Sequence, residues 1–135
     1  NVLKVLVNKS DRLLVQGQPI DIRQLKERAK EFLTNPKDDP NLPEVEEVTI
    51  NNLGTVRTTK GIISLKNDRG TSYDMYIQVQ NELTAAINEL RDELAQQRFG
   101  AKFSDLNSAT QSEAIQKAVP IAISEAEPED IGGKK

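Results

Sequence analysis

The chain has 135 residues, 36% of them hydrophobic and 4% aromatic, with no Trp, so a core can form but has little material to build it. Its 18 basic and 21 acidic residues leave a formal net charge of −3. No dense Lys/Arg patch exists to hold a phosphate backbone or an anionic membrane surface, so nucleic acid is not an expected partner. Cys and His are both absent, which excludes Cys-His and Ser-His-Asp nucleophilic sites, thiol redox chemistry and the usual structural zinc sites.

Residues 2–7 alternate as a strand, with Leu3, Val5 and Val7 on one face and Lys4 on the other. Asn8-Lys9-Ser10-Asp11 supplies turn chemistry, and residues 12–16 read as a second strand ending at Gly17. A chain that opens inside a strand is expected to be part of something longer. Residues 21–34 form the first predicted helix. Asp21 and Gln24 have the spacing of a capping box, and Ile20 and Leu25 that of a hydrophobic staple. Ile22, Leu25, Ala29, Phe32 and Leu33 make its apolar stripe, while Arg23, Lys26, Glu27 and Lys30 are expected to face water. Asn35-Pro36 stops it.

A loop over 35–44 contains Pro36, Pro40 and Pro43. Two short strands, 45–50 and 55–58, follow around Asn51-Asn52-Leu53-Gly54, and a further strand covers 62–65. The strongest helix spans about 72–98, capped by Thr71 or Ser72. Tyr76, Val79, Leu83, Ile87, Leu90 and Leu94 form its stripe, with Glu89, Arg91, Asp92 and Glu93 on other faces. At roughly 40 Å it is long for this chain, so its distal half is expected to overhang. A weaker helix lies within 104–119, with Ala114, Ile115 and Ala118 on its apolar side and Pro120 closing it. Residues 121–123 suit a last strand, and the tail over 129–135 is expected to be flexible. No run reaches the roughly 18–20 apolar residues that cross a bilayer.

The order hairpin, helix, strand, helix, strand resembles the extramembrane domain of the ExbD/TolR biopolymer-transport family. The residues that carry the likeness are Leu13-Leu14-Val15-Gln16-Gly17-Gln18-Pro19-Ile20, the block from Asp68-Arg69-Gly70-Thr71-Ser72-Tyr73-Asp74 through Leu83, and the ending Ile123-Ser124-Glu125-Ala126-Glu127-Pro128. The likeness covers 1–34, 61–98 and 119–128, and treats 35–60 and 99–118 as additions to a smaller core. It implies a periplasmic domain on a single inner-membrane helix upstream, an ExbB/TolQ-like channel subunit as partner, and coupling of proton flow to a TonB/TolA-like protein. It further implies a homodimer. The Asp that carries protons in such proteins lies on the membrane helix, so no residue of this chain takes that role.

The expected fold is α+β in two layers: a mixed sheet covered on one face by two main helices, with an inserted hairpin and an extra C-terminal helix. Residues 1–128 are expected to form one unit. Candidate partner-contact residues are Asp68 and Arg69 in the turn before the long helix, Tyr73 at its start, and Ile87 and Leu94 on its distal half. For Asp68 the plainer reading is turn chemistry. Tyr76 reads as core. Glu44, Glu46 and Glu47 read as a solvated strand edge rather than a cation or acid/base site, and Gly54, Gly61 and Gly70 as turns rather than a phosphate loop. No cofactor or metal is expected. Three functions are compatible with these residues: energy coupling through strand addition at a sheet edge, a peptidoglycan-binding anchor of the TolR kind, and, least favoured, an enzyme using two carboxylates.

Overall fold

The computed structural model describes residues 1–125; the expected flexible tail and the end of the family-like segment, residues 126–128, lie outside them. Strand β1 (Val2–Val7) pairs antiparallel with β2 (Leu13–Val15). Asn8 closes the turn, its Oδ1 accepting from the amides of Ser10 and Arg12, both at 2.9 Å. Beyond β2 the chain turns again, into a two-residue strand β3 (Gln18–Pro19) absent from the sequence reading. Gln16 and Gly17 both take positive φ, the geometry of a two-residue hairpin turn.

Asp21 and Gln24 form the expected reciprocal cap, over a short 3₁₀ turn that leads into α1 (Leu25–Thr34). The helix ends on Asn35 at φ 44°, buried, with its side chain fastening the following loop. Strands β4 (Val45–Ile50) and β5 (Gly54–Thr59) form a separate antiparallel ribbon. Strand β6 (Ile62–Asn67) then runs parallel to β1 along its whole length, from Val2↔Ile62 to Val7↔Asn67. Helix α2 (Tyr73–Phe99) is capped by Ser72, whose Oγ accepts from the Met75 amide at 3.1 Å. Helix α3 (Ala109–Ala118) is capped in the same way by Ser108. Strand β7 (Ile123–Glu125) joins β6 in parallel, giving the sheet order β3-β2-β1-β6-β7.

This is the expected mixed sheet with its main helices on one side. Leu3, Val5, Val7, Leu13, Val15, Ile63 and Leu65 turn inward against Leu25, Ala29 and Phe32 of α1 and Val79, Leu83 and Ala86 of α2. The period-two pattern of β1 and β6 leaves Val2 and Ile62 exposed, outside that core.

A second apolar cluster corrects the expected overhang. Leu53 and Val56 from the β4–β5 ribbon meet Ala114, Ile115 and Ala118 from α3 over Ala95 of α2. The two segments read as additions therefore pack on each other and cover the distal half of the long helix. Arg98 ties the ribbon down by donating to the carbonyls of Leu53 at 3.1 Å and Thr55 at 2.8 Å.

Three sequence expectations change with this packing. Ile87, expected at a subunit contact, is only 3% exposed, because α2 buries it within the chain. Arg91, placed off the apolar stripe, is nevertheless only 9% exposed: its Nε donates to the Val119 carbonyl at 2.8 Å and its guanidinium lies 5.3 Å from the centre of the Phe103 ring. Lys26 and Lys30 do not simply face water. Lys26 pairs with Glu89 at 2.5 Å, and Lys30 reaches Glu89 at 3.0 Å and Glu93 at 2.8 Å, joining α1 to α2.

Candidate functional site

The two clusters leave a seam between them. A groove of about 600 Å³ runs along it, floored by Leu90 and Leu94 of α2 and by Leu33 at the end of α1. One wall is the end of β5 with Lys60, Gly61 and Ile62; the other is the extended segment from Val119 to Ser124. Sites of this size recur where two packing units meet, because neither unit alone can close over the apolar surface.

Each wall is held by a specific contact. Thr59 Oγ1 donates to the Leu33 carbonyl at 2.6 Å and accepts from the Gly61 amide at 3.3 Å, so β5 is pinned to the end of α1. Gly61 is required by close approach: a Cβ there would come within 2.7 Å of Pro43 Cγ and 2.9 Å of Phe32 Cε2. On the opposite wall Arg91 holds the Val119 carbonyl, while the Ala122 carbonyl accepts from the Ile63 amide at 2.8 Å. Pro120, between them, has no amide to give. These fixed points start β7 at Ile123, two residues later than the sequence reading placed it.

Beyond Ala122, the side chain of Glu125 latches β7. It accepts from the Tyr76 hydroxyl in a short hydrogen bond and from Gln80 Nε2 at 2.7 Å. The bond to Glu125, with burial adding to it, raises the Tyr76 hydroxyl above its ordinary pKa. Among the described residues no strand pairs with the outer edge of β7.

The groove is apolar but charged at its rim. Glu93 is engaged by Lys30. Lys60 stands 3.8 Å from Glu46 with most of its side chain in solvent. Arg57, also on the rim, has no carboxylate within ion-pair distance among the described residues.

The residues singled out from the sequence separate into two places. Leu94 lies in the groove floor, half-buried. Asp68, Arg69 and Tyr73 sit at the other end of β6, roughly 20 Å away along the strand. Asp68 is 4% exposed and serves its turn, accepting from the Gly70 amide at 3.0 Å. Arg69 is exposed in the same turn, and Tyr73 is 76% exposed at the start of α2. The fold thus does not gather these candidates into one site.

Sequence reasoning missed Arg57, Ile62 and Ile121 as groove residues. Ile121 carried a trace of it: an isoleucine directly after a helix-ending Pro, which the structure leaves 70% exposed. Among the described residues, no group of three or more His, Cys, Asp or Glu could hold a metal ion, and no helix is long and apolar enough to cross a membrane. No protein-family model matches the chain, and neither does any curated protein.

Proposed function

We propose that this chain is the extramembrane coupling domain of an ExbD/TolR-type subunit, which transmits proton-driven motion of an upstream membrane helix to a TonB/TolA-like protein. The observation that carries the reading is the apolar groove beside the edge of β7 that no strand pairs with among the described residues. An extended partner segment could add to that edge by main-chain hydrogen bonds and seat alternate side chains in the groove. The layered fold that the likeness implied supports the same reading. In this scheme an ExbB/TolQ-like channel subunit moves the anchor helix, and the domain responds by a shift between partner-bound and partner-free populations. Self-association, also implied by the likeness, would use a surface other than Ile87, such as the one around the exposed sheet residue Val2.

The test uses the full-length, membrane-anchored protein assembled with its channel partner. A photo-cross-linking residue at Ile121 is expected to capture a TonB/TolA-like periplasmic fragment, and capture should respond to the proton gradient. No capture in the assembled complex, together with co-sedimentation of the domain with purified sacculi, would favour a wall-anchoring role instead. The upstream coding sequence is a second check: one hydrophobic span of about 20 residues bearing a single Asp is expected.

A further inference from the structure

The domain is held by two apolar clusters that share no residue. The larger joins the five-stranded sheet to α1 and the proximal half of α2. The smaller joins the β4–β5 ribbon and α3 over the distal half of α2, and three of its six buried members, Ala95, Ala114 and Ala118, are alanine. Alanine has little apolar surface to hide, so this cluster gains less from burial, residue for residue, than the sheet core does. Neither part of it is stable alone: β4 and β5 form a sheet of two strands, and α3 has ten residues. Each buries its apolar side against the other, so the loss of one removes what holds the second.

The polar ties draw the same boundary. Ion pairs from Lys26 and Lys30 bind α1 to α2 and secure α2 as far as Glu93. The smaller unit is attached instead by bonds between side chains and main chain. Arg98 and Arg91 donate to carbonyls of the ribbon and of Val119, and Asp92 Oδ1 accepts from the Phe103 amide at 3.0 Å. Water replaces such bonds at modest net cost when the two surfaces part. The connections allow the movement. Gly100, at φ 75°, separates α2 from the segment that carries α3, and the returns to the sheet, at Lys60 and Pro120, lie before β6 and β7 begin. Parting therefore breaks no rung of the five-stranded sheet.

We infer that the β4–β5 ribbon and α3 open together from the distal half of α2, as one unit, while the five-stranded sheet and α1 stay folded. The groove is then a property of the closed form alone, because Arg57 and Thr58 on one wall and Ala118 and Val119 at the other leave with the unit. Opening and closing of this unit sets how much of the population carries a groove at all.

The test is native-state hydrogen exchange on the purified chain, in urea below the unfolding transition, followed amide by amide by NMR. Amides of β4, β5 and α3 are expected to share one opening equilibrium. It should be more populated than the opening that exposes β1 and β6, and less sensitive to urea, since less surface is exposed. Two conservative variants separate the units. Ile115→Val, in α3, should speed exchange in α3 and in the ribbon by the same factor, about two- to tenfold. It speeds β1 and β6 as well, because global unfolding loses the same contact. Ile63→Val, in β6, should speed β1 and β6 by about two- to tenfold and leave the ribbon and α3 at parent rates. Acceleration of the ribbon by Ile63→Val would overturn the inference, since it would mean that the ribbon opens only with the whole chain. So would acceleration of α3 by Ile115→Val with the ribbon unmoved, or a ribbon and α3 without measurable protection.

Discussion

Replacing Arg91 with Met removes the pin that holds one groove wall while keeping most of the side-chain volume. Three contributions set the outcome. The hydrogen bond from Nε to the Val119 carbonyl, at 2.8 Å, involves a charged donor and contributes about 1.5–3 kcal/mol. The cation–π contact with Phe103, at 5.3 Å, adds about 0.5–1 kcal/mol. Against these stands the cost of burying the guanidinium, which holds Arg91 below its ordinary pKa; Met relieves that cost, by about 1–2 kcal/mol. The net loss is centred on about 1.5 kcal/mol within a span of about 0–3, or roughly 5 °C in Tm at the centre for a chain of this size. Arg91→Lys should recover little, because an ammonium cannot lie flat on the ring while reaching the carbonyl. Urea denaturation measures the global loss. Hydrogen exchange separates the mechanism: amides within residues 119–124 should exchange faster by more than the global loss accounts for, because the wall opens locally. Parent-like stability with unchanged exchange in that segment would show that Arg91 does not position the groove wall.

Two further substitutions test how the parts are joined. Asn35→Ala should cost about 2–4 kcal/mol in urea denaturation, since the Asn35 side chain bonds to the Asp39 carbonyl at 3.1 Å, the Pro43 carbonyl at 2.9 Å and the Asp39 amide at 2.7 Å; Asn35→Gly relieves the φ of 44° and should recover only a fraction. The lysine–glutamate bridge between α1 and α2 should make stability depend on pH at both extremes. Hydrogen bonds from Lys26 and then Lys30 hold the Glu89 carboxyl below its ordinary 4.5, so its contribution is complete above that value and disappears as pH falls through the lowered one. Lys30, pushed up to about 12 chiefly by its bond to Glu93, contributes fully below 10.5 and loses that contribution as pH rises through about 12. Glu89→Gln should flatten the acid limb of the urea midpoint plotted against pH.

Much of the main core was legible because its signals are local. The alternation of Leu3, Val5 and Val7, the Asp21–Gln24 cap and the spacing of Val79 and Leu83 each depend on a few neighbouring residues, and each appears in the fold as expected. Arg91 shows where such reasoning stops. Its charge and its place off the apolar stripe point to solvent, and only the arrival of Phe103 and Val119 turns it into a buried tie. Lys30 fails in the same way, since its partners Glu89 and Glu93 lie some 60 residues along the chain.

The groove belongs wholly to this second kind. Leu33, Arg57, Leu94 and Ile121 come from four segments, none of which carries a pattern that names the others. Periodicity and capping, which act over a turn of helix or a pair of strands, determined the elements and the inward face of the sheet. Tertiary packing alone decided that residues 45–59 and 103–119 would close over the distal half of α2 and leave a seam. A helix or strand buries its own stripe against whatever surface is available, and the choice of surface is a long-range competition that local residue spacing does not encode.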